Sequence, residues 1–284
     1  GAACAGGPAP VGQRLVNGNG AKVMGALLSS RDIARGAERL DISTAALRAV
    51  IAVETAGGGF VDGALPKILF EGHIFHRLTG GAFDEERPDL SYPRWTKDHY
   101  KGGRGEYDRL LEAIGFDADA ALQSCSWGLG QVLGINYRIA GFAGIDAFVN
   151  AMAEGEGRQL DAMIGFIAHH DLARHLRDEA WADFARRYNG PGYARNAYDT
   201  KLAAAYARAL RSEDGDGTVP FKEDRARVAS LQAALNAVGA TLAVDGWWGP
   251  KTRAAVLAFK RRNHLPVDDT IGDDLLDQLG LDAS

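Results

Sequence analysis

The chain has 284 residues, 46% of them hydrophobic and 24% charged, values that exclude wholesale disorder. Its 32 Lys and Arg against 37 Asp and Glu leave a net charge of -5, which disfavours a polycation that binds nucleic acid through its phosphates. No stretch approaches the roughly 20 apolar residues of a membrane span, no intact signal peptide is visible, and the two cysteines are too few for a disulfide scaffold or a four-Cys zinc site.

Residues 1–20 hold six glycines, two prolines and two asparagines and read as a flexible leader. Cys4 lies there, so no bridge to Cys125 is expected. From Ser30 the pattern is helical. Ser30 is placed to cap RDIARGAERL, and Ser43 to cap TAALRAVIAVET. Further helical runs are EYDRLLEAI, GIDAFVNAMAEGE, RQLDAMIGFIAHH, EAWADFARRY and KLAAAYARALR, and strand-like alternation is scarce before residue 212. Residues 83–104, rich in Pro, Gly and charge, read as a long surface excursion whose length suggests a functional loop. The short acidic stretch 212–221 is the expected linker between a domain at 21–211 and a smaller one at 222–284. The smaller part has 8 basic and 9 acidic residues, which leaves 24 and 28 for residues 1–221, so neither part traps a polyanion by charge alone.

Leu47, Val50, Ile51 and Glu54 share one helix face, apolar until Glu54 ends it, and a Gly-rich stop follows. A carboxyl beside an apolar face loses hydration, so its pKa rises and it can serve as a general acid. Periodicity alone favours the plainer reading, a Glu at a helix end that an Arg or a backbone amide satisfies.

Three motifs follow in order: Ala-Val-x-x-Val-Glu-Thr ending at Thr55, Ser-Trp-Gly-Leu-Gly-Gln-Val from Ser126, and Tyr-Asn-Gly-Pro-Gly from Tyr188 with Tyr198 soon after. With Ile-Leu-Phe-Glu-Gly-His-x-Phe at 68–75, they resemble the N-acetylmuramidase domain of modular phage endolysins, within the lysozyme-like superfamily. The resemblance covers roughly residues 28–211. It implies that Glu54 is the catalytic acid, that Ser126, Gly128 and Gln131 line the cleft beside it, and that Tyr188 and Asn189 face the acid and the sugar. Tyr193 joins the substrate-binding set. The chemistry agrees: a Tyr offers a flat face and a hydroxyl, and Asn or Gln can both donate to and accept from an N-acetyl amide.

Glycoside hydrolysis usually needs a second carboxylate. Glu71, Asp84, Glu85, Glu86 and Asp89 are available, and Glu71 is the first choice for a supporting role because it stands inside the family-like segment. A purely structural Glu71 is the alternative. His73 and His76, and the adjacent His169 and His170, lack a third ligand and a His-Glu-x-x-His spacing, so neither a metal nor any cofactor is expected. Cys125 reads as a buried small residue.

Beyond the linker, Arg225–Val238 and Lys251–Arg262 read as amphipathic helices with Asp245-Gly-Trp-Trp-Gly-Pro250 between them, and residues 268–281 repeat the order in weaker form. Leu231 to Phe259 resembles the small three-helix peptidoglycan-binding domain. Asp245, Trp247 and Trp248 are the expected wall-binding residues, one Trp as core and the other as a platform or a cover for the core edge.

The fold expected is thus mainly α, a lysozyme-like catalytic domain plus a three-helix binding domain. The resemblance implies a monomeric peptidoglycan hydrolase that binds no nucleic acid and does not insert stably in a membrane. It would cleave the β-1,4 bond between N-acetylmuramic acid and N-acetylglucosamine, acting on the wall after release from the host cytoplasm through a holin. Lytic transglycosylase action and a non-catalytic wall-binding role are the alternatives.

Overall fold

A computed structural model describes residues 25–55, 58–61, 65–190, 193–213, 222 and 224–281. The predicted leader, Cys4 and most of the predicted linker lie outside them. In chain order the helices are α1 (Ser30–Leu40), α2 (Thr44–Glu54), α3 (Gly72–Thr79), α4 (Gly105–Ile114), α5 (Ala118–Gln123), α6 (Ile145–Glu154), α7 (Glu156–His169), α8 (Ala173–Arg177), α9 (Trp181–Tyr188), α10 (Tyr198–Glu213), α11 (Arg225–Ala237), α12 (Pro250–Arg262) and α13 (Asp273–Gln278). The strands are β1 (Phe60–Val61), β2 (Leu65–Pro66), β3 (Ile68–Phe70), β4 (Cys125–Trp127) and β5 (Val132–Leu133). The chain is mainly α, as its periodicity predicts. Strands of two or three residues are too short to show alternation, and α3 and α5 span about two turns, so periodicity does not reveal them.

Two compact units emerge, one of residues 59–171 with Gly25 and Ala26, the other of Leu27–Gly58 and the chain from Leu172 onward. In the first unit β1 and β2 pair antiparallel, and β4 lies between β3 and β5 with Ser126 opposite Leu69 on one side and Leu133 on the other. Phe70, Phe75, Trp127, Phe148, Met152, Leu160 and Met163 fill its core.

A buried ion pair inside α4 organises this unit. Glu106 and Arg109, one helical turn apart, meet at 3.0 Å. Glu106 accepts from the amides of Phe70, Lys101 and Gly102, while Arg109 donates to the carbonyls of Phe70 and Asp89. Two side chains thereby tie β3 to both ends of the segment 83–104. That segment is largely exposed, as its composition suggests, but Leu90, Ser91 and Tyr92 within it are buried. His76 holds it again through Asp84, at 2.7 Å.

In the second unit the cap of α1 is Ser29 rather than Ser30. Its hydroxyl accepts from the Asp32 amide and the Asp32 carboxylate accepts from the Ser29 amide, a reciprocal box for which residue 29 has the required spacing. Ser43 caps α2 as expected, accepting from the Ala46 amide at 3.1 Å. α2 packs along α10, and α10 along α9.

The C-terminal helices close on Leu231, Leu235, Val256, Phe259 and Leu275. The sequence repeat is also a structural one. Asp245 Oδ1 accepts from the Trp247 amide, and Asp268 Oδ1 accepts from the Thr270 amide, the same Asx turn twice. Each turn is gripped by a buried polar side chain of the preceding helix. Gln232 of α11 donates to Asp245 and to the Trp247 carbonyl and accepts from the amides of Asp245 and Gly246. Lys260 of α12 donates to Asp268 and to the Thr270 carbonyl.

Candidate active site

Glu54 is the last residue of α2 and half-buried. Val50 and Leu47, one and two turns back on the same face, are fully buried, so the face carries the acid out of the core as its spacing predicts. Asn189, the C-cap of α9, donates through Nδ2 to both Glu54 oxygens, at 3.1 and 3.0 Å. Burial pushes the Glu54 pKa above its ordinary value, and the Asn189 amide pulls it part of the way back. Both residues stand at the carbonyl-rich ends of their helices, where a carboxylate is disfavoured, which acts in the same direction as burial. Tyr188 stacks on Phe184 with ring centroids 5.2 Å apart, and burial, followed by the Glu54 charge, raises its hydroxyl pKa. A neutral phenol therefore sits beside the acid. Tyr193 opens the 3-10 turn Tyr193–Asn196 and is half-buried.

Ser126, Gly128 and Gln131 come together in the first unit, and they spend much of their polar capacity on one another. Ser126 donates to Gln131 Oε1 at 3.0 Å, and Gln131 Nε2 donates to the carbonyls of Gly128 and Lys67. These bonds hold Gln131 at a φ of 47°, an uncommon conformation for a side-chain-bearing residue. Gly128 has a φ of 68°, and a Cβ there would stand 2.6 Å from Gln159 Cδ. Gln159 and its neighbour one turn back, Glu156, are both buried and were not singled out by sequence. Gln159 accepts from the Leu129 amide and donates to the carbonyls of Gly59 and Met152, while Glu156 accepts from the Gly59 amide. No sequence signal marked them, because a polar residue on an amphipathic helix gives no sign that its partners come from loops roughly 30 and 100 residues away.

Glu71 precedes α3 and accepts from the Tyr100 hydroxyl at 2.7 Å. Its Oε2 is also 3.3 Å from His73 Nδ1. Burial and the Glu71 carboxylate together raise the Tyr100 pKa. Among the described residues, no group of three or more His, Cys, Asp or Glu side chains is arranged to hold a metal ion. Cys125 is fully buried, which pushes its thiol pKa well up.

In the C-terminal part the two adjacent tryptophans separate. Trp248 packs against the helical core, with Lys222 over its ring at 4.9 Å, whereas Trp247 is 47% exposed. Asp245 is engaged in its turn. Among the described residues, no helix is long and apolar enough to cross a membrane.

The family profile for N-acetylmuramidase matches residues 43–210, more than half of the chain and the part that holds Glu54, Asn189 and Glu71. The chain belongs to the N-acetylmuramidase family. This muramidase is a lysozyme-type glycoside hydrolase. A second profile, for a putative peptidoglycan binding domain, matches residues 224–279 and gives the chain the modular plan of an endolysin. A similar solved structure is that of a Burkholderia AP3 phage endolysin, 35% identical, with 70% of this chain and 77% of that one covered at a TM-score of 0.63. No curated protein matches.

Proposed function

We propose that this peptidoglycan hydrolase cleaves the β-1,4 bond between N-acetylmuramic acid and N-acetylglucosamine with Glu54 as general acid. The observation that carries the reading is the environment of Glu54: a half-buried carboxyl at a helix end, its pKa raised, with one neutral amide facing both oxygens. Protonated Glu54 gives its proton to the glycosidic oxygen as the C–O bond breaks and an oxocarbenium-like sugar forms. The carboxylate left behind is already faced by Asn189 Nδ2. That hydrogen bond strengthens as charge develops, so it favours the transition state over the ground state. Asn189 Oδ1 is buried and makes no hydrogen bond within the described protein, which leaves an acceptor for the N–H of an N-acetyl group.

Glu71 is the second carboxylate of this reading, held by Tyr100 so that it can orient water or offset the developing positive charge. Tyr188 and Tyr193 offer ring faces to sugars. Ser126, Gly128 and Gln131 shape the turn that contributes to the cleft. Residues 222–284 form the wall-binding module, with Trp247 as its exposed platform and residues 212–221 as tether. The role fits a phage endolysin that acts as a monomer and reaches the wall through a holin.

Mass spectrometry of digested wall tests the reaction. Hydrolysis adds a water to each cleaved bond; a 1,6-anhydro product without that water would identify lytic transglycosylase action instead. Retained lysis by purified Glu54→Gln would overturn the assignment of the acid.

A further inference from the structure

Trp95 has the largest exposed hydrophobic side chain among the described residues, at 57% of its surface. The segment that carries it is firmly held, for the Tyr100 hydroxyl donates to Glu71 at 2.7 Å. The loop under it is fixed on both sides, by Glu106 to the amides of Lys101 and Gly102 and by Arg109 to the Asp89 carbonyl. An aromatic side chain on a segment fixed this firmly loses little backbone freedom when a ligand covers it.

The surroundings say what kind of ligand. Beside Tyr100 lie the hydroxyl of Tyr92 and Nδ1 of His73, both buried and neither hydrogen-bonded within the described protein. The Tyr92 ring meets His99 at 4.9 Å, and His73 Nδ1 is close to Glu71 without the alignment of a hydrogen bond. A carboxylate accepts from hydroxyls and repels phosphates, which points away from a nucleotide and toward a polyol. Lys97 places its ammonium 5.7 Å from the indole centroid, within reach of an acidic substituent on a ring resting there.

We infer that Trp95 and the Glu71–Tyr100–His73 cluster form a carbohydrate subsite, in which the indole packs on a pyranose ring and Lys97 pairs with the carboxylate of a muramyl unit or its peptide stem. This rests on peptidoglycan being the substrate. It makes Trp95 and Lys97 specificity-determining residues rather than catalytic ones.

The test uses the full chain carrying Glu54→Gln, so that probes are bound and not cut, with titration calorimetry against chitotetraose and against a purified disaccharide–peptide muropeptide. Adding Trp95→Ala should weaken binding of both probes at least tenfold, and Trp95→Phe should restore part of it. Lys97→Glu should weaken only the acidic muropeptide. In the otherwise wild-type enzyme, Trp95→Ala should raise KM for soluble glycan strands at least tenfold and leave kcat within a factor of two. Thermal melting should not change, because the side chain is exposed. Failure of either probe to bind, or unchanged affinity and KM in Trp95→Ala, would overturn the subsite. A wild-type chain that does not cut glycan at all would overturn the hydrolase reading instead, while the calorimetry still reports on the subsite.

Discussion

Glu54 and Asp268 are carboxylates with opposite fates. Glu54 is half-buried at the carbonyl end of α2 and is met by a single neutral amide, so burial wins and its pKa rises. Asp268 is exposed and is met by the Lys260 ammonium, the Thr270 hydroxyl and the Thr270 amide, so hydrogen bonding wins and its pKa falls well below the ordinary carboxylate range. The first arrangement keeps a proton available for chemistry. The second fixes an anion in a turn. The number and charge of the donors, rather than the carboxyl itself, separate a reactive acid from a structural one.

The largest way to break this contrast is Glu54→Gln. It preserves shape and removes the donated proton, so turnover should fall by roughly 10²- to 10⁴-fold. Wall binding by the C-terminal module, measured by co-sedimentation, should remain. A variant that still lyses cells would leave the raised pKa without a use.

Gln232→Ala breaks the other side. It removes the bonds that hold the Asp245 turn and leaves buried amides unpaired, at a cost of about 2–4 kcal/mol to the module. Scanning calorimetry of the full chain should show one transition shifted down, while cleavage of soluble glycan persists. Loss of both together would mean that residues 222–284 do not fold as a separate module.

Asn189→Leu sharpens the comparison by taking away the one donor at Glu54. The carboxylate loses its offset, so the pKa of the acid rises further and the alkaline limb of the activity profile moves to higher pH. Turnover at the optimum should drop by a factor of roughly ten, the scale of one charge-assisted hydrogen bond. Stability carries the same sign. Because the folded pKa of Glu54 is raised, ionising it costs the native state as pH rises from 4.5 through the folded value. Glu54→Gln cannot ionise, and its melting temperature should gain on the wild type across that interval. A limb that moves to lower pH in Asn189→Leu would contradict the pairing.

The smallest effect is expected from Trp247→Ala. Loss of the exposed platform should weaken wall binding by a factor of roughly five to ten, or about 1 kcal/mol. The same change at Trp248 should lower melting temperature instead, since that ring packs on the core.

Much of this was readable in the residues. The 3.6-residue periodicity marked α2 and put Glu54 at the end of an apolar face, because burial of one helix stripe must appear in sequence. The repeated Asp turns of the C-terminal module were visible because an Asx turn is a local device. That Asn189, 135 positions away, faces Glu54 was implied by the family resemblance and by nothing in the local pattern, whereas tertiary structure alone decided that Glu71 is held by Tyr100 from a segment that looks like a surface loop, and that Gln159 and Glu156 bind Gly59. It also decided which of two adjacent tryptophans is exposed. Helical periodicity and turn chemistry are written in neighbouring residues. Pairing across the chain is written only in the packed backbone, where a buried polar group takes whichever partner the fold brings within 3 Å.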